Sequence, residues 1–186
     1  MQKLRNDELG RISVEDFKNS EKLSLIIVLD NVRSAINVGS IFRTADAFRI
    51  MQICCCGITP IPPHRDLLKS ALGATESVHW EYFTDTLSCI NTLKEQNVVI
   101  AAIEQTKNSV QLQELKVSNA KPIALIFGHE MNGVSQDIID CSDYSVEIPQ
   151  TGTKHSLNIA VCAGIVLWEV FRKSKSIQQP DLLSGL

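Results

Sequence analysis

The chain has 186 residues, a formal net charge of −3, 44% apolar residues and 21% charged residues. This length fits one domain that buries roughly two thirds of its unfolded surface, and no apolar run reaches the roughly 20 residues of a membrane-spanning helix. The acidic balance argues against a broad nucleic-acid-binding face, which needs clustered Lys and Arg, and leaves room for a local basic patch.

Residues 1–22 are polar, lack the apolar stretch of a signal peptide, and read as an extension with one short helix at Val14–Asn19. A cytoplasmic location is expected. The domain is expected over 23–173, with a tail at 174–186. SLIIVLD (Ser24 to Asp30) is a continuous β-branched run, typical of a parallel strand buried on both faces. After the loop DNVRSAIN, the residues Val38, Ile41, Phe42, Ala45 and Phe48 recur at helical spacing. MQICCCG (Met51 to Gly57) is the next strand. A loop with three prolines leads into a short helix at Arg65–Ala71, and HWEYF (His79 to Phe83) suits a short strand. Thr84 or Asp85 can cap a helix running to about Gln96. Strands follow at Val98–Gln105, Pro122–Gly128 and Ser145–Pro149. Ser135 can cap a helix to Cys141, and an apolar helix runs from about Ser156 to Arg172. Alternating strands and helices predict an α/β fold with a mostly parallel sheet and helices on both faces.

Six cysteines, Cys54, Cys55, Cys56, Cys89, Cys141 and Cys162, show no C-x-x-C pair. They suit neither a zinc site nor a disulfide framework and read as buried reduced thiols. Strand alternation puts Cys54 and Cys56 on one face and Cys55 on the other.

No dinucleotide G-x-G-x-x-G, P-loop or H-E-x-x-H occurs, so no metal is expected. The polar residues of interest lie in three clusters, each just after a strand: Asn31–Thr44, Phe127–Ser135 and Thr151–Asn158. In a parallel sheet the carboxyl ends of strands are where ligands bind. Each cluster has an ordinary alternative when taken alone. Asn37 can be a helix cap with Arg43 in a surface ion pair, Gly128–Gly133 can be a plain strand-to-helix turn, and Ser156 can cap the last helix with Asn158 in its first turn. Arg33, Arg43, Arg49, Arg65, Lys69, Lys154, His155 and Arg172 in or near the clusters could form a local basic patch.

Together the clusters resemble the SpoU/TrmH family of RNA 2′-O-ribose methyltransferases, in the SPOUT superfamily. The resemblance rests on three ordered motifs: Asn37-Val-Gly-Ser-Ile-Phe-Arg43-Thr-Ala, Gly128-His-Glu130-Met-Asn-Gly133 and Ile148-Pro-Gln-Thr-Gly152-Thr-Lys-His-Ser156-Leu-Asn158. It covers about Leu23 to Lys173. It implies a C-terminal deep trefoil knot, S-adenosylmethionine as cofactor, and a homodimer with the apolar last helix in the interface. By the same resemblance, Arg43 is the catalytic residue with Asn37, Glu130, Ser156 and Asn158 around it. Gly128, Gly133, Ile148, Gln150 and Leu157 contact the cofactor, and Arg33, Lys154 and His155 contact RNA. His129 and Gln150 depart from the residues more usual in the family. The family divides between tRNA and 23S rRNA substrates. The run IPQTGTKHSLN with IVLWE is similar to members acting on the D-loop guanosine of tRNA. A 23S rRNA substrate and a non-catalytic RNA-binding role are the alternatives. Arg43 could act as a perturbed base or as an electrostatic orienter of the ribose hydroxyl.

Overall fold

A computed structural model describes residues 3–118 and 120–178. Its sheet has seven strands: β1 (Leu23–Asp30), β2 (Ile50–Cys56), β3 (Trp80–Phe83), β4 (Val99–Ile103), β5 (Val110–Gln111), β6 (Ile123–Phe127) and β7 (Tyr144–Glu147). They lie in the order β3-β2-β1-β6-β4-β7-β5, and every neighbouring pair is parallel. The helices are α1 (Val14–Asn19), α2 (Ala35–Ala47), α3 (Arg65–Ala71), α4 (Ala74–Ser77), α5 (Thr86–Glu95), α6 (Gln136–Cys141) and α7 (Ile159–Gln178).

The continuous apolar run of β1 reflects burial on both faces. Leu25, Ile27 and Leu29 pack with Val38, Ile41 and Phe42 of α2 and with Ala163, Val166 and Leu167 of α7. Ile26 and Val28 face the other way, onto Cys89, Ile90 and Leu93 of α5 and Ile138 of α6. Cys55 joins the first layer, Cys54 and Cys56 the second, as strand alternation requires. All three are buried free thiols. Burial raises the Cys55 pKa to about 12, with neighbouring Cys56 adding to the shift, so its thiol stays protonated at neutral pH.

Four features differ from the expected pattern. β5 is only two residues long and carries no periodicity. α4 is a single turn entered through Gly73 at φ 88°. Ser135 precedes α6, but its side chain makes no capping hydrogen bond. α7 continues past Arg172 to Gln178, so helix enters the segment expected as a tail, and 179–186 lie outside the described residues.

α2 and α3 pack at backbone distance because position 39 is glycine. A Cβ there would lie 2.0 Å from Ser70 Oγ and 2.4 Å from the Leu67 carbonyl oxygen. In an open helix, Gly→Ala stabilises by about 1 kcal/mol. Here the Leu67 contact is backbone and cannot rotate away. Gly39→Ala is therefore expected to destabilise the fold by about 1–3 kcal/mol, read as a lower urea midpoint with an unchanged slope. An unchanged midpoint would mean the two helices separate freely.

Candidate active site

The three clusters converge at the carboxyl ends of β1, β6 and β7. The first is a loop held from beneath: the Val32 N–H donates to Thr59 Oγ1 at 3.0 Å, and that hydroxyl donates to the Leu29 carbonyl at 3.0 Å. Ser34 caps α2, accepting from the Asn37 N–H at 3.3 Å. Asn37 is therefore in the first turn, not the cap, and its side chain is free to reach across the site.

It reaches the second cluster. Asn37 Nδ2 donates to Glu130 Oε1 at 3.2 Å. The same carboxylate accepts from the Arg33 N–H and the Ser34 N–H, both at 3.0 Å. Glu130 thus supplies the acceptor for otherwise unpaired N–H groups at the start of a helix, where negative charge is favoured. Burial alone would raise its pKa. The N–H groups of Arg33, of Glu130 itself and of Ser34, with Asn37, outweigh burial and hold the carboxyl below its ordinary value of 4.5.

The third cluster closes the ring. Asn158 Nδ2 donates to Asn37 Oδ1 at 3.3 Å, while Asn158 Oδ1 caps α7 by accepting from the N–H groups of Ala160 (2.9 Å) and Val161 (3.3 Å). The cap is therefore Asn158, and Ser156 lies two residues before it in an exposed loop. Asn satisfies two helix donors with its oxygen and reaches Asn37 with a separate nitrogen, so cap and cross-link use different atoms of one side chain.

These loops wall a cavity of about 360 Å³, within the usual range for small-molecule sites. Its rim includes Gly128, Glu130 and Gly133 from the second cluster and Ile148, Gln150, His155, Ser156 and Leu157 from the third. The turn between Gly128 and Gly133 is folded tightly on itself, with backbone bonds in both directions between His129 and Gly133. A Cβ on Gly128 would sit 2.2 Å from the Gly133–Val134 backbone. Gly133 has φ 66°, and its Cβ would meet Glu104 Oε2 at 2.1 Å. A second cavity of about 260 Å³, lined by Arg33, Ser34, Asn37, His129, Glu130 and Met131, adjoins the first.

Two of the expected site residues are not gathered here. Arg43 is exposed and lines neither cavity; six residues after Asn37, it projects about 120° around the helix, beside Ile36, Ser40 and Ala47. Lys154 is exposed and outside both cavities. Three residues unremarked in the sequence do belong. Glu104 accepts from the Val134 N–H at 2.9 Å and from the Gln105 N–H at 2.9 Å. Gln105 Nε2 donates to the His155 carbonyl at 2.7 Å. Glu147, at the end of β7, lines the wall. The polar pair ending an apolar strand, EQ after VVIAAI, was the available signal for the first two.

Because the folded pKa of Glu130 is depressed, its contribution to stability is full above the ordinary value of 4.5 and is lost as pH falls through the folded value. The stability advantage of the wild-type chain over Glu130→Gln is expected to be constant at neutral pH and to fade on acidification below that value, read from urea midpoints across a pH series. An advantage that grows on acidification would contradict the assigned network.

A model of the SpoU rRNA methylase family matches residues 24–168. A relative from Staphylococcus saprophyticus, named for the TrmH family of tRNA/rRNA methyltransferases, is 30% identical over 160 residues, covering 86% of this chain and 63% of that protein. One of the same name from Staphylococcus haemolyticus is 29% identical over 164 residues, covering 88% and 65%. The chain thus spans just under two thirds of the length of these relatives. The crystal structure of the A. aeolicus TrmH/SpoU tRNA modifying enzyme superposes with a TM-score of 0.77 at 27% identity, covering 89% of this chain and 82% of that one. The AdoMet-bound rRNA methyltransferase from Sinorhizobium meliloti superposes at 0.76 with 26% identity, covering 84% and 59%. With nearly all of its folded core matched, the chain belongs to the SpoU rRNA methylase family.

Proposed function

We propose that the chain transfers a methyl group from S-adenosylmethionine to a ribose 2′-hydroxyl of structured RNA, acting as a homodimer. The observation that carries the reading is the convergence of Asn37, Glu130 and Asn158, from three strand-end loops, beside the large cavity. The cavity's chemistry suits the cofactor. Ile103, Ile148, Leu157 and Ile159 offer apolar surface for an adenine ring, the Gly128–Gly133 turn presents backbone groups, and the carboxylates suit a cation. Among the described residues no Lys or Arg lines it, which fits poorly with a phosphate-bearing nucleotide. No group of His, Cys, Asp or Glu among the described residues is placed to hold a metal, and none of the described helices is long and apolar enough to cross a membrane.

S-adenosylmethionine supplies an already activated methyl, so the protein's work is to align a hydroxyl and assist loss of its proton. Gly128, Gly133, Ile148, Gln150 and Leu157 would hold the cofactor, with Ser156 at the rim. Arg33 and His129 in the adjoining cavity would meet the nucleotide, with Lys154 and His155 extending the RNA contact. Arg43 carries a guanidinium with no lone pair to accept a proton; it would clamp the neighbouring phosphate and stabilise developing negative charge on the ribose oxygen.

The exposed face of α7 supports the dimer. Val161 (53% exposed), Ile165 (39%) and Trp168 (53%) form a stripe at helical spacing, and Ile36 (60%) faces outward from neighbouring α2. Phe48, at the C-cap of α2, stacks on Phe171 of α7 with ring centroids 5.0 Å apart and ties the two helices into one surface. Arg43 shares that outward face with Ile36 and does not line the cavity of its own protomer, so its catalytic role requires that pairing of this face carry it to the partner's cavity. The trefoil knot expected from the resemblance is supported by the placement of β6 and β7 between earlier strands.

This chain covers 82% of the A. aeolicus tRNA modifying enzyme against 59% of the Sinorhizobium meliloti rRNA methyltransferase, which favours tRNA over rRNA. The D-loop guanosine is the position to examine first. The test is methyl transfer from labelled S-adenosylmethionine to bulk tRNA and rRNA, followed by nucleoside analysis. The wild-type chain is expected to yield a 2′-O-methylnucleoside, with Arg43→Ala and Asn37→Ala each reducing the rate about 100-fold or more. Near-normal transfer by both variants would overturn the site, and cofactor binding without transfer to either RNA would favour the non-catalytic reading. In sedimentation, Trp168→Glu with Val161→Glu is expected to give monomers with lost activity; active monomers would remove the dimer from the mechanism.

A further inference from the structure

The walls of the larger cavity carry one-sided charge. Glu104 and Glu147 each lie one residue beyond the paired Ile103 and Val146 on adjacent strands, and both line the cavity with Glu130. Among the described residues, its other ionisable groups of basic type are two histidines, His129 and His155, with no Lys or Arg. Glu104 is fixed by the N–H groups of Gln105 and Val134, whereas no hydrogen bond or ion pair among the described residues engages the Glu147 carboxylate.

We infer that this cavity selects its occupant by charge, taking up cationic S-adenosylmethionine in preference to neutral S-adenosylhomocysteine, with Glu104 and Glu147 as the specificity-determining residues. The inference rests on the reading of the cavity as the S-adenosylmethionine site. The two molecules differ by one methyl group and one positive charge. During transfer the S–CH₃ bond breaks and an O–CH₃ bond forms. The bonding pair stays on sulfur, which becomes neutral, and the hydroxyl proton leaves to solvent. A field set by carboxylates attracts the sulfonium form and not the thioether, and between half-buried groups this attraction is screened less than at an open surface. The attraction fades as the sulfonium charge is lost, so it adds affinity for the reactant and eases product release without raising the chemical rate. The same field keeps RNA phosphates out of the recess, leaving them to Arg33 at the adjoining cavity.

The experiment is isothermal titration of the full chain with S-adenosylmethionine, S-adenosylhomocysteine and sinefungin, an analogue with an ammonium-bearing carbon in place of the sulfonium. The wild-type chain is expected to bind both cations about fivefold or more tighter than the neutral thioether. Glu147→Gln removes charge from an untethered side chain, so it is expected to weaken both cations about threefold to tenfold and leave the thioether within about twofold. Glu104→Gln also disturbs the Val134 contact. It is expected to weaken all three ligands, the cations more. Equal wild-type affinities for the cations and the thioether, or variants that weaken all three in the same proportion, would overturn charge selection. Failure of the wild-type chain to bind any of the three would instead remove the cavity's assignment.

Discussion

The Glu130 carboxylate is the constraint on which the site depends. A β-strand-to-helix loop leaves backbone donors unpaired at the helix start, and burying them unpaired costs more than a hydrogen bond returns. Here the acceptor comes from a loop nearly one hundred residues away. Arg33 and Ser34 donate through their backbones and Asn37 through its side chain, so one side chain sets the height of α2 against the β6 loop. Asn158 then binds Asn37 while capping α7. Remove Glu130, and two helix starts lose their common reference.

A second set of tethers works from the opposite side of the cavity. Glu104 and Gln105 leave β4 together and diverge, one to the turn at Val134 and the other to the loop at His155. The loops after β6 and β7 are thus each held at two points: at the α2 start and at the end of β4. Loops are the mobile parts of most α/β domains. Five side chains, Asn37, Glu104, Gln105, Glu130 and Asn158, tie these loops down as walls before any ligand arrives, which lowers the ordering cost of binding.

The architecture was legible because period and length dominate it. Runs such as SLIIVLD and VVIAAI have the length and β-branched content of doubly buried strands, and the two core layers observed on either face follow from their alternation. β5 and α4 were not legible, because two- and four-residue elements have no period to detect. In the site, glycine spacing marked the tight Gly128–Gly133 turn. Which of Ser156 and Asn158 caps α7 was not legible, since both are good caps and the choice depends on Asn37 across the site. The roles of Glu104 and Gln105 are not legible for a related reason: a polar pair at a strand end reads as an exit to solvent, and its partners lie on loops distant in sequence. The position of Arg43 outside the cavity of its own protomer is helical phase, visible in the spacing from Asn37 but interpretable only once α7 is known to lie alongside.

An acidic net charge is compatible with the proposed action on RNA because fields are local. Three carboxylates, Glu104, Glu130 and Glu147, line the recess and meet no Lys or Arg among the described lining residues. Arg33 lies at the adjoining cavity and Arg43 on the outward face of α2. Spreading the same residues evenly would give a weak field everywhere. Segregating them puts the carboxylate-lined recess beside the cavity that carries Arg33, the two joined through Glu130, which lines both while its hydrogen bonds position the loop that carries Arg33. The same carboxylate therefore anchors the boundary between them, and under the proposed function its fixed position would let a cationic cofactor and an RNA phosphate be held side by side without competing for one pocket.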